Sequence, residues 1–455
     1  MRIALGIPLS FKVLCNRCNA FSKNLPEGFF THITTDSREA SFGDLFFSLS
    51  SDMQSAENHI KEAHMCGAKT VSSFSKDADF IVSDCEETLL KLAAFYKSQL
   101  KSLISTIAIT GRVGKTTTKD FAAAFLGASY KTHKTYMNYN NSLGVSLSLL
   151  SAPKDTEILV LELGMNAEGE IKKLSEAVEP DYAVITNVAS AHIGKLGSLE
   201  LIARAKLEIS EGMSKDNILA PYDEALLQSA KYKFSLFESA SDFYLAKTGI
   251  NNRYSFFHDN EKIIEFSTSY KASHHLKALL IALSLGCFLQ MSKEKMPLGI
   301  ENTEKITLRQ KLIAFRHFSV FDDTYSSSPE AVKADIEYLK LQYPDRPFSL
   351  ALGDMLELGQ KTVELHNEIG KLAYTSGARK LYAFGSYAYF IRDGARSAGM
   401  SEKDISANPE TDFYQALARE IYKNSLLSEI VLIKASHALH SEKILEEIER
   451  LDKEC

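Results

Sequence analysis

The sequence predicts an α/β protein of three consecutive units, the middle one a doubly wound parallel sheet. Length is the first observation: 455 residues make about three domains at roughly 100–200 residues each. The second is strand–helix alternation from residue 101 onward, the pattern of β-α-β units on a parallel sheet. The third is a strand-like run, LISTIAIT (103–110), that passes straight into GRVGKTTTKD (111–120), a glycine-bearing turn opening a helix.

Residues 1–100 read as a small α/β unit. HITTDSREASFGDLFFSL (32–49) holds a strand, a polar turn and a second strand; ENHIKEAHMCGAK and EETLLKLAAFYKSQL carry helical spacing. The second unit, 101–305, sets the strand TEILVLELG before the helix EGEIKKLSEAVE, and the strand DYAVITNV before SLELIARAKLEISEGM. YSFFHD and EKIIEFSTSY suggest a hairpin, and HHLKALLIALSLGCFLQM a buried helix. In the third unit, 306–455, FSVFDDTY, PFSLALGD, KLYAFGS and EIVLIKAS read as strands, each followed by a helix.

Composition narrows the function. The chain is 45% hydrophobic and 24% charged, ordinary for a globular protein. A net charge of −6 supplies no global basic field for nucleic acid or a membrane surface. The apolar start MRIALGIPLSFKVLC is broken by Pro8, Ser10 and Lys12 and reads as mature structure. No run approaches the roughly 18 apolar residues of a membrane span, so a cytoplasmic protein is expected. The six cysteines are few for the length; Cys15 and Cys18 form a C-x-x-C pair without the second pair a zinc ribbon needs.

The chemistry sits at 110–117. A helix N-terminus after a strand offers free backbone N–H groups and partial positive charge, which suit a phosphate. Gly111 and Gly114 let Thr110, Gly111, Arg112, Val113 and Gly114 turn tightly around it. Lys115 is placed to reach the β- and γ-phosphates, and the Thr116 hydroxyl, with Thr117 beside it, to face Mg²⁺. The full phosphate-loop pattern wants a glycine where Ile109 stands. Arg112 reads two ways, as a solvent-facing tip or as a phosphate contact. Glu162, ending a hydrophobic strand, reads as a metal ligand, with a salt bridge or helix cap as the plainer alternative.

These residues fall in a wider set. GKTTTKD, NYNNSLGVSLSLL (138–150), LELGMNAEGEI (161–171), ITNVASAHIGKLGSLELIARAK (185–206), FDDTYSSSPEAV (321–332) and ALGDMLELG (351–359) occur in an order that resembles the Mur ligases of bacterial cell-wall synthesis. The likeness runs from about residue 30 to about 445. TDSREASFGDLFFSL (35–49) resembles the uridine-binding domain. GDMLELG after the DD-x-Y-x-x-x-P segment points to the member that adds D-alanyl-D-alanine to UDP-MurNAc-tripeptide. The resemblance implies three domains: a UDP-substrate domain, a central P-loop ATPase domain, and a C-terminal Rossmann-like domain for amine binding and closure. It also implies ATP, a pair of Mg²⁺ ions and an acyl-phosphate intermediate, in a monomer without nucleic-acid partners.

Residue by residue, the resemblance makes Glu162, His192 and a carbamylated Lys206 metal ligands beside Thr116, and counts Lys115, Glu162, His192 and Lys206 as catalytic. Read without it, Lys206 is a solvated helix residue and His192 polar loop surface. Asn141 and His274 match residues near the nucleotide, and Arg309 and Asp323 match residues that the third domain brings over the ATP on closure. Asp36, Ser37 and Arg38 match the diphosphate loop, where the Arg38 fork suits the ligand. Tyr325, Asp354, Glu357, Lys434 and Ser436 are expected near the dipeptide or the closure interface.

The chain also departs from the family pattern. Arg112 replaces a small or amide residue. Ser326 and Ser328 replace two asparagines, and Ala435 and His437 alter K-G-S-R. His275 and Ala278 alter H-N-x-x-N, and the D-G-H segment is absent from MQSAENHIKEA. These changes touch base and dipeptide contacts and leave the phosphate and metal chemistry intact. Other readings are the sister ligase that adds the third amino acid, whose D-N-P-R segment is absent, a folate polyglutamate ligase, a nucleotide-binding regulatory protein of the same fold, and a nucleic-acid-dependent ATPase.

Overall fold

Three sheets organise the chain in the computed structural model, which describes residues 1–188, 198–248, 252–306, 311–324, 327–356, 358–409 and 413–454. The first sheet holds β1 (Arg2–Ser10), β2 (Phe29–Thr34), β3 (Leu45–Phe47), β4 (Lys69–Ser72) and β5 (Phe80–Ile81), side by side in chain order. Only the β1–β2 pair is antiparallel; β2 through β5 run parallel. The N-terminal segment read as mature structure is β1 followed by helix Lys12–Cys18. Cys15 and Cys18 are free thiols on that helix, and burial pushes both up.

The second sheet has nine strands: β6 (Ser105–Thr110), β7 (Thr132–Lys134), β8 (Ile158–Glu162), β9 (Tyr182–Ile185), β10 (Ile218–Pro221), β11 (Tyr232–Ser235), β12 (Phe243–Lys247), β13 (Arg253–His258) and β14 (Glu261–Ser267). Their order is β14-β13-β12-β11-β10-β9-β6-β8-β7. All pairs from β7 to β12 are parallel, and β12-β13-β14 closes the edge as an antiparallel meander that contains the expected hairpin. Every residue of β6 and β8 is buried, because helices cover both faces; this is why these strands read as unbroken apolar runs rather than alternating ones.

The third sheet has β15 (Lys311–Ala314), β16 (Ser319–Asp323), β17 (Phe348–Leu352), β18 (Leu381–Phe384), β19 (Ile405–Asn408) and β20 (Ile430–Lys434), in the order β15-β16-β20-β17-β18-β19. The four strands legible in the sequence are β16, β17, β18 and β20. The two short outer strands, β15 and β19, lack a strong apolar run and were not legible.

Packing divides these sheets unequally. One continuous core joins the first sheet to a face of the second: Ile3, Leu14, Phe30, Val71 and Tyr96 belong to the same buried cluster as Val145, Leu161 and Ile202. Tyr96 is fully buried, donates from its hydroxyl to Ala152 O (2.6 Å), and accepts from Ile7 N. Across the second sheet, Phe121 and Phe125 pack on helix Ser273–Phe288. The third sheet has its own cores, one on each face. Each fully buried large apolar side chain stabilises by about 1.5–3 kcal/mol.

The sheet order places a topological switch at β6. The chain leaves β6, goes out to β7, returns to β8, then crosses to β9 on the other side of β6. A crevice opens at the carboxyl ends of the strands at such a point, and registers Ile109↔Glu162 and Thr110↔Ile185 bring these ends together there.

Candidate nucleotide site

At this crevice the backbone turns through Gly111 (φ 144°) and Gly114 (φ 80°) into helix Lys115–Leu126. A Cβ on Gly111 would stand 1.9 Å from Thr186 Oγ1, so only glycine fits. The loop is braced by residues after β9. Arg112 N and Val113 N donate to Asn187 Oδ1 (2.9 and 3.0 Å), while Asn187 Nδ2 and Thr186 Oγ1 donate to Val113 O. Thr186 and Asn187 fall within the 185–206 segment quoted above, but neither residue type nor spacing shows that they brace a loop 73 and 74 residues earlier.

Lys115 folds over the loop, donating from Nζ to Gly111 O (3.1 Å) and Arg112 O (3.2 Å). Thr116 Oγ1 donates to Glu162 Oε2 at 2.8 Å. Glu162 is 1% exposed and receives Asn140 Nδ2 on Oε1 (2.8 Å), with the Lys119 ammonium 3.9 Å from Oε2. Lys119 is itself buried, 3.5 Å from Asp120 and bonded to Met137 O. Thr110 ends β6 as a buried residue, and Thr117 lies on the cleft wall.

The cleft has a second wall. A cavity of about 270 Å³ is lined by Arg112, Lys115, Thr116 and Glu162 from one side and by Asp323, Ser328, Asp335 and Lys434 from the third unit. His274 lines it as well, 4.0 Å ring to ring from His275. Burial, then His274, pushes His275 down to about 3, so it is a neutral imidazole. Lys434 pairs with Asp323 and lies 2.8 Å from Asp335.

Several sequence expectations need correction. Asn141 caps helix Ser142–Leu150 with its side chain, accepting from Gly144 N (2.9 Å), and it is its neighbour Asn140 that lines the cleft and contacts Glu162. The Asx geometry of a helix cap decides between adjacent asparagines, and spacing alone does not reveal it. Lys206 is not solvated but 2% exposed on helix Leu199–Leu207. Burial, then the cations Lys115 and Arg112, push its ammonium well below the usual lysine range. Of the two readings of Arg112, its place in the cleft lining favours the one that faces the phosphates.

Asp354 does not line the cleft. It accepts from Ser386 N and Tyr387 N, both at 2.9 Å, anchoring the start of helix Ala388–Ala398. Ser436 Oγ accepts from Leu356 N (3.0 Å), tying the GDMLELG loop to the end of β20. Asp36, Ser37 and Arg38 lie outside the cleft, on the first unit. The Arg38 fork binds Asp36 at 2.9 and 2.6 Å and holds its carboxyl well below the usual range, while Ser37 Oγ donates to Glu62. His192, Arg309, Tyr325, Glu357 and the His437 side chain lie outside the described residues. Among the described residues no group of three His, Cys, Asp or Glu side chains is placed to hold a metal, and no helix is long and apolar enough to cross a membrane.

A glycine loop at the switch point of a parallel sheet, closed over by a second α/β unit, defines a nucleotide-binding protein of the phosphate-loop class. Residues 109–286 match the Mur ligase middle domain, and residues 308–437 the Mur ligase, glutamate ligase domain. The chain is 31% identical over 436 residues to the UDP-N-acetylmuramoyl-tripeptide–D-alanyl-D-alanine ligase of Bacillus subtilis, covering 91% of this chain and 92% of that one. It is 30% identical to the ligase of the same name from Rickettsia prowazekii, covering 98% of each. A solved MurF from Acinetobacter baumannii superposes with a TM-score of 0.86 at 25% identity, covering 98% of this chain and 100% of that one. MurF from Thermotoga maritima in complex with ADP superposes at 0.77 and 26%, covering 93% and 98%. The chain belongs to the Mur ligase family.

Proposed function

We propose that this protein is an ATP-dependent, ADP-forming ligase that joins D-alanyl-D-alanine to UDP-MurNAc-tripeptide, giving the pentapeptide precursor of peptidoglycan. The observation that carries the reading is the two-walled cleft, in which a phosphate loop with Glu162 faces Asp323 and Lys434. The substrates follow from the names of relatives that align over nearly the whole chain. We assign residues 1–100 to the UDP-linked substrate, 101–305 to ATP, and 306–455 to the dipeptide and closure.

The reaction transfers the γ-phosphoryl group to the peptide carboxylate with departure of ADP. The dipeptide amine then attacks the acyl carbon, and the tetrahedral adduct loses phosphate and a proton to leave an amide. Such chemistry needs two anions held together, their charge offset and water kept out. Lys115 and the loop amides bear on the phosphates. Lys434 stands on the opposite wall, its charge shared with Asp323 and Asp335.

The Thr116 hydroxyl and Glu162 carboxylate, joined at 2.8 Å beside the loop, form an oxygen donor pair suited to Mg²⁺. We assign Mg²⁺ to these residues with His192 and Lys206; when bound, it supplies charge neutralisation at the phosphates. Burial, then Lys115 and Arg112, disfavour the Lys206 ammonium and so favour the neutral amine, the form that adds carbon dioxide as a carbamate with loss of one proton, which supports carbamylation of Lys206. The weak cysteine content fits a reducing cytoplasm, and a monomer completes the reading.

The test is phosphate release from ATP with Mg²⁺, UDP-MurNAc-tripeptide and D-alanyl-D-alanine, omitting each in turn. Release that needs both substrates, with a pentapeptide product by mass, is the expected result. Release indifferent to the dipeptide overturns the amine assignment. Arg38→Ala, which removes an exposed fork matched to the diphosphate, is expected to raise KM for the UDP-linked peptide roughly tenfold and leave KM for ATP nearly unchanged. Equal effects on both constants would contradict the assignment of the first unit.

A further inference from the structure

Helix Pro329–Gln342 buries Val332, Asp335, Ile336 and Leu339. This is apolar-stripe spacing, and Asp335 occupies an apolar place in it at 1% exposure. A lone carboxylate there is strongly disfavoured. What compensates it is Lys434 at 2.8 Å, which pairs with Asp323 as well. Lys434 ends β20, Asp323 ends β16, and the two are register partners across the strands. One ammonium therefore serves two carboxylates, and all three side chains line the nucleotide cleft. Fully ionised, the trio carries one net negative charge where phosphates must come. With one proton on its carboxylates it is neutral.

We propose that Asp335 is a positioning residue for the nucleotide: it holds Lys434 and Asp323 on the cleft wall and carries the proton that keeps the trio neutral. The proposal rests on the ATP-ligase reading. It goes beyond that reading because neither the phosphate loop nor the family motifs quoted above involve Asp335.

Burial pushes the Asp335 carboxyl well up from the usual carboxylate range despite Lys434, and Asp323 adds to the rise. Burial works against the Lys434 charge, but the two carboxylates hold it as an ammonium above the ordinary lysine range. The sign follows. A raised carboxyl keeps its proton further up the pH scale than an ordinary aspartate, and losing that proton as pH rises adds a negative charge that repels phosphates. Facing it across the cleft are the cations Arg112 and Lys115, the Glu162 carboxylate, and the imidazoles of His274 and His275; Glu330 and Tyr338 share its helix. Lys206, held below its usual range behind the loop, also changes charge with pH. The decisive quantity is therefore a difference between variants that share every other group.

The experiment measures the Kd of Mg-ATP by calorimetry at pH 7 and pH 9 for wild type, Asp335→Asn and Asp335→Ala. One added charge in a partly screened cleft corresponds to roughly a tenfold change in affinity. Wild type is expected to weaken between the two pH values roughly tenfold more than Asp335→Asn. An equal pH ratio in the two proteins overturns the proton-carrying role. Asp335→Ala lacks both charge and hydrogen bond; it is expected to share the flatter pH response but to bind roughly three- to tenfold more weakly than Asp335→Asn at pH 7. Equal affinity of the two variants at pH 7 overturns the positioning role. Nucleotide binding needs no dipeptide, so an error in the amine substrate appears only in the phosphate-release assay and leaves this comparison intact.

Discussion

Lys115→Ala is expected to lower phosphate release by a factor on the order of 10²–10³, the scale of losing one preorganised donor to a developing anion. Lys115 is the first residue of its helix, and its ammonium spans the loop by donating to Gly111 O and Arg112 O. None of these bonds belongs to a hydrophobic core, so the variant is expected to fold. Thermal melting checks the fold, and steady-state phosphate release checks the chemistry. Turnover near wild type in a folded Lys115→Ala protein would remove the loop from the reaction.

Lys206→Ala is expected to cost a comparable factor for a different reason. Its side chain is buried behind the loop, and burial together with Lys115 and Arg112 disfavours the ammonium. The folded-state pKa is depressed, so this lysine weakens the fold as pH falls below the ordinary lysine range, where the unfolded chain takes up a proton that the folded chain resists. A protein retains such a cost where the neutral amine has work to do. Short carboxylates such as formate, diffusing into the space left by the side chain, are expected to restore part of the lost rate. Full activity of Lys206→Ala without added carboxylate would exclude the carbamate. Lys206→Arg is expected to be inactive and beyond rescue, because a permanent cation then faces two others.

The parts of this site that repeat in many proteins were legible. A strand, a glycine turn and a helix with Lys115 and Thr116 announce themselves by local spacing, and Glu162 by its place at the end of a wholly apolar strand. The residues that were missed act through tertiary geometry. Asn140 and Asn141 are neighbours in sequence, and only the direction of the chain entering helix Ser142–Leu150 decides which one caps it and which one meets Glu162. Asn187 braces a loop 74 residues earlier. Lys119 looks like an exposed position on an amphipathic helix, yet it is buried against Glu162 and Met137 O. Asp335 breaks an apolar stripe, a signal visible in the sequence that acquires meaning only once Lys434 is beside it. Asp354 is expected from its motif near the dipeptide or the closure interface, and only the fold shows that its carboxylate accepts from two backbone amides at the start of a helix.

The core that runs unbroken from the first sheet into the second has a consequence for cooperativity. Sequence divides the chain into thirds, but buried contacts divide it into a large block through helix Met296–Glu304 and a smaller one from β15 onward. Such blocks melt as units. Heating should therefore give two calorimetric transitions and not three, and the first hundred residues expressed alone should lack a stable fold, since they would lose the half of this core that lies in the second unit and the Tyr96 hydroxyl its partner Ala152 O. Under the proposed assignment of the first unit to the UDP-linked peptide and the second to ATP, this shared core would hold the two ligands at a set distance and leave rearrangement to the wall that carries Lys434.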